Sequence, residues 1–360
     1  MKNSKKIILL ISSIAISFLI LEFFLRILSV ELPESDYDGV LYSNYSKDEM
    51  NLNLPYRHKN HGGNCVKERF NKKMRWHPRF GYNDKDVDLK CISKLFDQNK
   101  INIIFMGGSA MANYETPNYL TSIEYYMFQN DDQFRSVNLA ESGARLSNEL
   151  SIFLEYVPKM LNKPDFIFFF DGYNEFNSIR YNGNPEDDYY WTGGVKKRVH
   201  EPSKFYFDVA LERSHFLKFL LNNILGFSSS RIQGKEIKKS KILNSAEDYI
   251  YRKEILTELC EVYEIECIFI LQPAFVLSKN LNNKTDLQIK KWHEKYFKND
   301  QMILETGYKK IILSDKKIYD LKNIFDDKSN IYFDYVHSNK YGSEIIGNNL
   351  RKILNNKLNF

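Results

Sequence analysis

Cysteine is scarce in this chain, with four among 360 residues. The four have no spacing that resembles a zinc site, so no metal is expected. Their even number allows disulfides in an oxidising compartment. Cys65 and Cys91 form the more plausible pair, because both lie in an irregular region before the first predicted core strand. Cys260 falls in a predicted helix and Cys267 in the next strand, where buried free thiols fit equally well.

The chain also lacks the glycine-rich motifs of nucleotide-binding proteins. No Walker lysine follows a glycine-rich loop and there is no dinucleotide fingerprint, so no cofactor is expected. The formal net charge is only +5, and no stripe of Lys and Arg alternates with aromatic residues. Nucleic acid is therefore not an expected partner. His58 and His61 have no third ligand at a useful spacing and are interpreted as surface residues.

A long apolar run near the N-terminus is the clearest topological signal. Lys2, Lys5 and Lys6 precede an apolar run over residues 7–21, and apolar residues continue with helical spacing to residue 28. About twenty-four helical residues span roughly 36 Å, enough to cross a bilayer. No small-x-small cleavage site follows, which favours an uncleaved anchor over a signal peptide. Residues 1–30 are therefore predicted to be a single-pass transmembrane helix in the inner membrane, with the remaining chain outside the cytoplasm.

The pattern of apolar runs divides the remaining chain. Residues 31–100 are polar and lack a period, which predicts a stalk and accessory segment. From residue 101 to 360, runs of strand length alternate with helical spacing. The predicted strands are 101–106, 136–140, 165–170, 267–271, 311–313 and 331–333, and the predicted helices are 118–129, 146–162, 246–263 and 340–354. This alternation predicts an α/β fold of three layers, with a parallel sheet between helices. Residues 175–245 interrupt it and are predicted to be a lid-like insertion.

Polar or glycine residues directly follow four of the predicted strands. Ser109 comes after two glycines, Gly143 follows the second strand and Asn174 the third, while Asp334 and His337 follow the last. Parallel strands bring their carboxyl ends to one edge of the sheet, so these five residues are expected to meet. Each motif alone is ordinary loop chemistry. Their order after successive strands is what predicts a site.

These residue types have the chemistry of acyl transfer. A serine hydroxyl needs a neighbouring base, and His337 can serve Ser109 in that role. Asp334, three residues earlier, can fix the imidazole tautomer. The backbone N–H groups of Ser109 and Gly143 and the side-chain amide of Asn174 can stabilise an oxyanion. The predicted catalytic residues are Ser109, Asp334 and His337, and the predicted oxyanion hole is Ser109, Gly143 and Asn174.

The stretches "GGS", "NLAESG", "DGYNE" and "DYVH" resemble, in this order, the four blocks of the SGNH/GDSL hydrolases. The resemblance covers residues from about 100 to 355 outside the insertion. It implies a flavodoxin-like α/β/α fold, an enzyme that cleaves or transfers acyl esters, and the roles given above for the five residues. Two positions depart from the usual pattern: Gly108 replaces the aspartate of Gly-Asp-Ser, and Glu175 stands where aspartate is common. Glu175 is given no chemical role.

The expected protein is a membrane-anchored extracytoplasmic serine esterase. Its expected substrate is an O-acyl ester, most simply an O-acetyl ester, of a surface glycan or a lipid-linked sugar. This substrate is inferred only from location and resemblance. Two alternatives remain open. One is an O-acyltransferase that passes the same acyl-enzyme to a sugar hydroxyl, and the other is an inactive glycan-binding protein on the same fold.

Other candidate residues are given no part in the chemistry. His200, His215 and His293 lie away from strand ends and are interpreted as surface or lid residues. Asp171 precedes a glycine at the end of the third strand, where it could support the site residues from behind or form a turn, and the turn is the preferred interpretation. The aromatic cluster at residues 189–191 could stack on a sugar ring or pack the insertion equally well.

Overall fold

The computed structural model describes the greater part of the chain from residue 65 onward. The described residues are 65–68, 75–77, 81–83, 85–112, 123–128, 131–141, 143–176, 179, 237–279, 283–297, 299–315, 317–332 and 334–358. The predicted anchor and most of the predicted stalk and insertion lie outside them. Within these ranges, no helix has the length and apolarity needed to cross a membrane.

Short antiparallel pairs precede the main sheet. Strand β1 (Val66–Glu68) pairs with β4 (Lys85–Val87), and β2 (Arg75–His77) pairs with β3 (Gly81–Asn83). Helix α1 (Leu89–Leu95) follows, and the side chain of Asp88 caps its N-terminus by accepting from two backbone N–H groups. Its Ile92 is fully buried against the main core. The end of the predicted accessory segment therefore packs onto the domain that follows.

Five parallel strands form the central sheet of the described chain. They are β5 (Ile101–Gly107), β6 (Phe134–Asn138), β7 (Phe166–Asp171), β8 (Glu266–Leu271) and β9 (Tyr319–Asp320). Their spatial order is β6-β5-β7-β8-β9. Counted along the chain this is the order 2-1-3-4-5 of flavodoxin-like sheets, whose ligands bind at the carboxyl ends of the strands. The predicted α/β class with a parallel sheet is confirmed.

Helices cover both faces of this sheet. They are α2 (Ser109–Ala112), α3 (Ile123–Phe128), α4 (Leu146–Tyr156), α5 (Lys239–Val262), α6 (Lys284–Tyr296), α7 (Asp300–Ser314) and α8 (Lys340–Leu358). Successive strand residues point to opposite faces. Ile104 and Met106 of β5 pack with α4, α5 and α7, whereas Ile103 and Phe105 pack with α3 and α8. Both faces are thus apolar, which explains why the strands read as continuous apolar runs.

Two of the predicted strands are wrong. Residues 311–313 lie inside helix α7, where Ile311 is buried and Leu313 is exposed. A three-residue apolar run cannot be distinguished from part of a helix by its pattern alone. In the predicted strand 331–333, Tyr332 forms an isolated bridge with Ser338 instead of joining the sheet. The fifth strand is β9, which has two residues and no apolar run.

The four cysteines form two disulfides. Cys65 is bonded to Cys91, as predicted, and joins the segment before β1 to helix α1. Cys260 is bonded to Cys267, so the alternative of two buried free thiols is wrong for this pair. This second bond joins the end of α5 to the beginning of β8, and the predicted placement of its cysteines in a helix and the next strand is confirmed.

Candidate active site

Ser109 is placed by the end of strand β5, which lies between β6 and β7 in the sheet. The strand ends at Gly107, and Ser109 is the first residue of the short helix α2, where it is half-buried. Its Oγ atom lies 2.7 Å from the Nε2 atom of His337. This is hydrogen-bond distance, so the serine hydroxyl and the imidazole are already paired.

Asp334 holds the histidine from its other side. Its Oδ2 atom lies 2.5 Å from Nδ1 of His337. Its Oδ1 atom accepts from the backbone N–H groups of Val336 and His337, at 2.7 and 2.6 Å. The side chain of Asp334 is buried. One carboxylate therefore shapes the loop and favours the tautomer in which Nδ1 donates to Asp334 and Nε2 accepts from Ser109.

The loop of Gly143 and the loop of Asn174 are held together at the same edge. Gly143 has a φ of +72°, a left-handed conformation that glycine adopts without strain. The neighbouring carbonyl of Ala144 accepts from Nδ2 of Asn174 at 3.0 Å. The backbone N–H of Glu141 donates to the carbonyl of Gly107 at 3.0 Å, which anchors the first loop beside the end of β5.

The glycine before Ser109 leaves room for the amide of Asn174. A Cβ atom built on Gly108 would overlap Nδ2 of Asn174 and would also approach the carbonyl of Ala144. In this chain the amide of Asn174 fills the space of that missing side chain. This contact depends on the distance between two separate loops, so sequence patterns alone did not reveal it.

The structure brings together all five residues that the sequence singled out. Ser109, His337 and Asp334 form one hydrogen-bonded row, and Gly143 and Asn174 lie on two loops joined to each other. Their assignment as catalytic and oxyanion-binding residues stays a prediction.

Two other interpretations from the sequence are wrong. Asp171 is the buried last residue of β7 and not a turn residue. His293 is buried, with Nε2 2.8 Å from Asp300 Oδ2, and is not a surface residue. Both interpretations assumed that a polar side chain faces solvent. Asp171 is instead buried near Glu149, and His293 is buried beside Asp300. His58, His61, His200, His215 and residues 189–191 lie outside the described residues.

A cluster of buried acids lies behind the two loops. Burial raises the pKa of Asp171 to about 8. Burial, together with the nearby charge of Asp171, raises the pKa of Glu149 well above its usual value. Burial also raises the pKa of Glu175, although Arg145 and the backbone N–H of Leu146 oppose the shift. This cluster therefore holds at least one proton at neutral pH.

In the part of the chain that the structure describes, no group of three or more His, Cys, Asp or Glu residues could hold a metal ion. Sequence reasoning missed Arg145 and Glu149, and it gave Glu175 no role, because charged residues in loops and on helices normally face solvent. Their burial follows from contacts between distant segments.

Comparison with known proteins gives matches only among solved structures. No protein-family profile and no curated protein match the chain. An acetyl xylan esterase, AlAXEase, is 12% identical with a TM-score of 0.40, covering 70% of this chain and 99% of its own. A GDSL-like lipase from Bacteroides thetaiotaomicron is 12% identical with a TM-score of 0.39, covering 74% and 94%. A lipase/acylhydrolase from Enterococcus faecalis is 12% identical with a TM-score of 0.36, covering 71% and 96%.

At this level of similarity, any function must be argued from the residues of the chain itself. The carboxyl ends of β5 and β7 and the loop before α8 carry a Ser–His–Asp row and an asparagine amide. The four motifs resemble those of the SGNH/GDSL hydrolases, and the sheet that carries them has the flavodoxin-like strand order.

Proposed function

We propose that this protein is a serine esterase of the SGNH/GDSL type, which hydrolyses an O-acyl ester through an acyl-serine intermediate. The observation that carries the proposal is the continuous row from Ser109 Oγ through His337 to Asp334. A serine hydroxyl becomes a useful nucleophile when a base accepts its proton and a third group orients the base. Both requirements are met by atoms within hydrogen-bond distance.

In the first step, Ser109 Oγ attacks the carbonyl carbon of the ester while its proton passes to Nε2 of His337. The carboxylate of Asp334 stabilises the imidazolium that forms. The carbonyl oxygen becomes an oxyanion, which the N–H groups of Ser109 and Gly143 and the amide of Asn174 would bind. Collapse of this intermediate breaks the ester C–O bond, and His337 gives its proton to the departing alcohol.

In the second step, water takes the place of the alcohol. His337 accepts a proton from the water as its oxygen attacks the acyl carbon, and the same donors hold the second oxyanion. The bond to Ser109 then breaks, Oγ regains its proton from the imidazolium, and the carboxylic acid leaves. Each proton that His337 accepts is returned within the same step, so the cycle leaves the enzyme unchanged.

We propose further that the enzyme acts outside the cytoplasm, on an O-acetyl group of a surface glycan or lipid-linked sugar. The two disulfides support this location, because such bonds persist mainly in oxidising compartments. The apolar run in residues 1–30 is the proposed membrane anchor. The substrate class follows from that location and from the family resemblance.

The test is fluorophosphonate labelling of the full-length chain in detergent, beside its Ser109→Ala variant. We expect covalent labelling of the wild type that is absent in the variant. Hydrolysis of p-nitrophenyl acetate should be lost in parallel. Release of acetate from an acetylated oligosaccharide, measured with and without an acceptor sugar, then separates hydrolysis from transfer. A folded wild type that is neither labelled nor active would contradict the proposal and favour a binding protein.

A further inference from the structure

Glu175 is a buried charged residue next to the predicted oxyanion donor Asn174. It has 1% of its surface exposed, and its Oε2 atom lies 3.8 Å from Nε of Arg145, whose side chain is also buried. Removing two charges from water costs several kcal/mol per ion by rough estimate, and a buried pair is weak evidence of stabilisation. The position of this pair therefore calls for another explanation.

The contacts of Glu175 join the two loops of the predicted oxyanion hole. Its Oε1 atom accepts from the backbone N–H of Leu146 at 2.6 Å. Leu146 is the first residue of α4 and follows Gly143 by three positions. Asn174, the residue before Glu175, donates from its side-chain amide to the carbonyl of Ala144. Two consecutive residues of the short turn after β7 thus hold the segment between Gly143 and α4.

We propose that Glu175 is a positioning residue, which sets the distance between the Gly143 and Asn174 donors by holding the backbone N–H of Leu146. The inference rests on the proposed function, since it assigns these donors to an oxyanion. Glu175 touches no reacting atom. It acts by fixing the start of α4 against the turn that carries Asn174.

The length of the glutamate side chain matters for this role. The bond to Leu146 uses one carboxylate oxygen, and the other faces Arg145. Aspartate would keep the charge but withdraw the carboxylate by about 1.5 Å, the length of one C–C bond. Glutamine would keep both the length and an oxygen acceptor but lose the charge. These two variants therefore separate the hydrogen bond from the ion pair.

The experiment compares Glu175→Gln, Glu175→Asp and Glu175→Ala with the wild type, all as full-length protein, using p-nitrophenyl acetate. We expect Gln to keep kcat within about threefold, Asp to lower it about tenfold and Ala about a hundredfold, since a displacement of ~1 Å costs up to about 10². KM should change little, because the donors act on the transition state. Melting temperatures identify any variant that fails to fold. If Glu175→Ala does not fold, the kcat values of the Asp and Gln variants still show whether the length of the side chain sets the activity.

A matched control is Glu149→Gln, another exchange of a buried carboxylate for an amide in the same cluster. Within the described residues, neither carboxylate oxygen of Glu149 makes a hydrogen bond to the loops that carry the donors, so kcat should stay at the wild-type value. Asn174→Ala provides a second readout. When combined with Glu175→Ala, it should lower kcat by less than the product of the two single effects, because both changes disturb the same donor.

The outcomes separate this inference from the proposed function. If the wild-type protein hydrolyses the ester and the Glu175→Asp or Glu175→Ala variant matches its kcat, the positioning role is wrong and the esterase stands. A lower kcat for Glu175→Gln than for Glu175→Asp would overturn the positioning role as well. So would an Asn174→Ala, Glu175→Ala double variant whose loss of kcat equals the product of the two single losses. A folded wild type without labelling or activity would overturn both.

Discussion

The Nε2 atom of His337 lies 2.7 Å from Oγ of Ser109, although 228 positions separate the two residues along the chain. The parallel sheet explains this proximity. Ser109 follows strand β5, and His337 precedes helix α8, which packs on the same face of the sheet as Phe105 of β5. The proposed nucleophile and its proposed base are therefore paired by the architecture before any substrate binds.

Asp334→Asn should remove most of the activity while keeping the loop folded. In the wild type, the backbone N–H groups of Val336 and His337 donate to Oδ1 of Asp334. The amide oxygen of the variant can accept the same two hydrogen bonds. Its NH₂ group would face Nδ1 of His337, favouring the tautomer in which Nε2 carries the proton and cannot accept from Ser109. We expect kcat to fall by about 10⁴ with little change in melting temperature. Ester hydrolysis and thermal unfolding measure the two quantities, and activity within about tenfold of wild type would contradict the assigned role.

Asn174→Ala should lower kcat more than it raises KM. Its amide donates to the carbonyl of Ala144, and the same NH₂ group is the proposed oxyanion donor. Removal of one oxyanion donor costs about 10² to 10³ in kcat. The exposed Asn348 on helix α8 offers a control, since its change to Ala should leave both constants unaltered. Steady-state kinetics measure both constants. An Asn174→Ala variant with the wild-type kcat would exclude the amide as an oxyanion donor.

Gly108→Ala should act through Asn174. The added Cβ atom would overlap the amide nitrogen of Asn174, so the amide must move. We expect kcat to fall by about 10 to 10², because small displacements of positioned groups are costly. The same change in an Asn174→Ala background should have little further effect, since the amide is absent. Equal losses in both backgrounds would show that Gly108 is needed for another reason.

The sequence was sufficient to predict most of the sheet, for a physical reason. Strands β5, β7 and β8 are buried on both faces, so each appears as a continuous apolar run such as the one in Phe166–Asp171. Strand β9 has only two residues, Tyr319 and Asp320, and carries no such run. An edge strand this short leaves no pattern in the sequence. The apolar run at residues 311–313 therefore predicts a strand where the structure has a helix.

The candidate site could be predicted only in part. Ser109, Gly143 and Asn174 each follow a parallel strand of the sheet, so topology alone brings them to one edge. The Asp334–His337 pair reaches the same edge from a loop, because the strand predicted before it does not join the sheet. The fit of Gly108 against Asn174 and the bond from Leu146 to Glu175 depend on distances between separate segments. No local pattern records such distances, and a buried Arg–Glu pair looks like surface charge in a sequence.

The buried acids should make the free energy of unfolding depend on pH. Burial raises the pKa of Asp171 from 3.8 to about 8. Between these values the folded chain keeps a proton that the unfolded chain releases, so the free energy of unfolding should decrease as pH rises. One such group contributes a slope of at most about 1.4 kcal/mol per pH unit. The pKa of Glu149 is raised by burial and by Asp171, so it acts in the same direction.

Asp171→Asn tests this dependence, because an amide has the same shape and does not ionise. Chemical unfolding from about pH 5 to 8 should show a flatter pH profile for the variant than for the wild type. The variant should also gain stability relative to the wild type as the pH rises from about 5 toward 8, because over this range the folded wild type must keep the Asp171 proton that its unfolded chain releases. Asp327→Asn, at an exposed carboxylate, is the matched control and should keep the wild-type slope. A wild type whose stability rises across this range, or parallel profiles for wild type and Asp171→Asn, would show that the buried acids do not retain the proton.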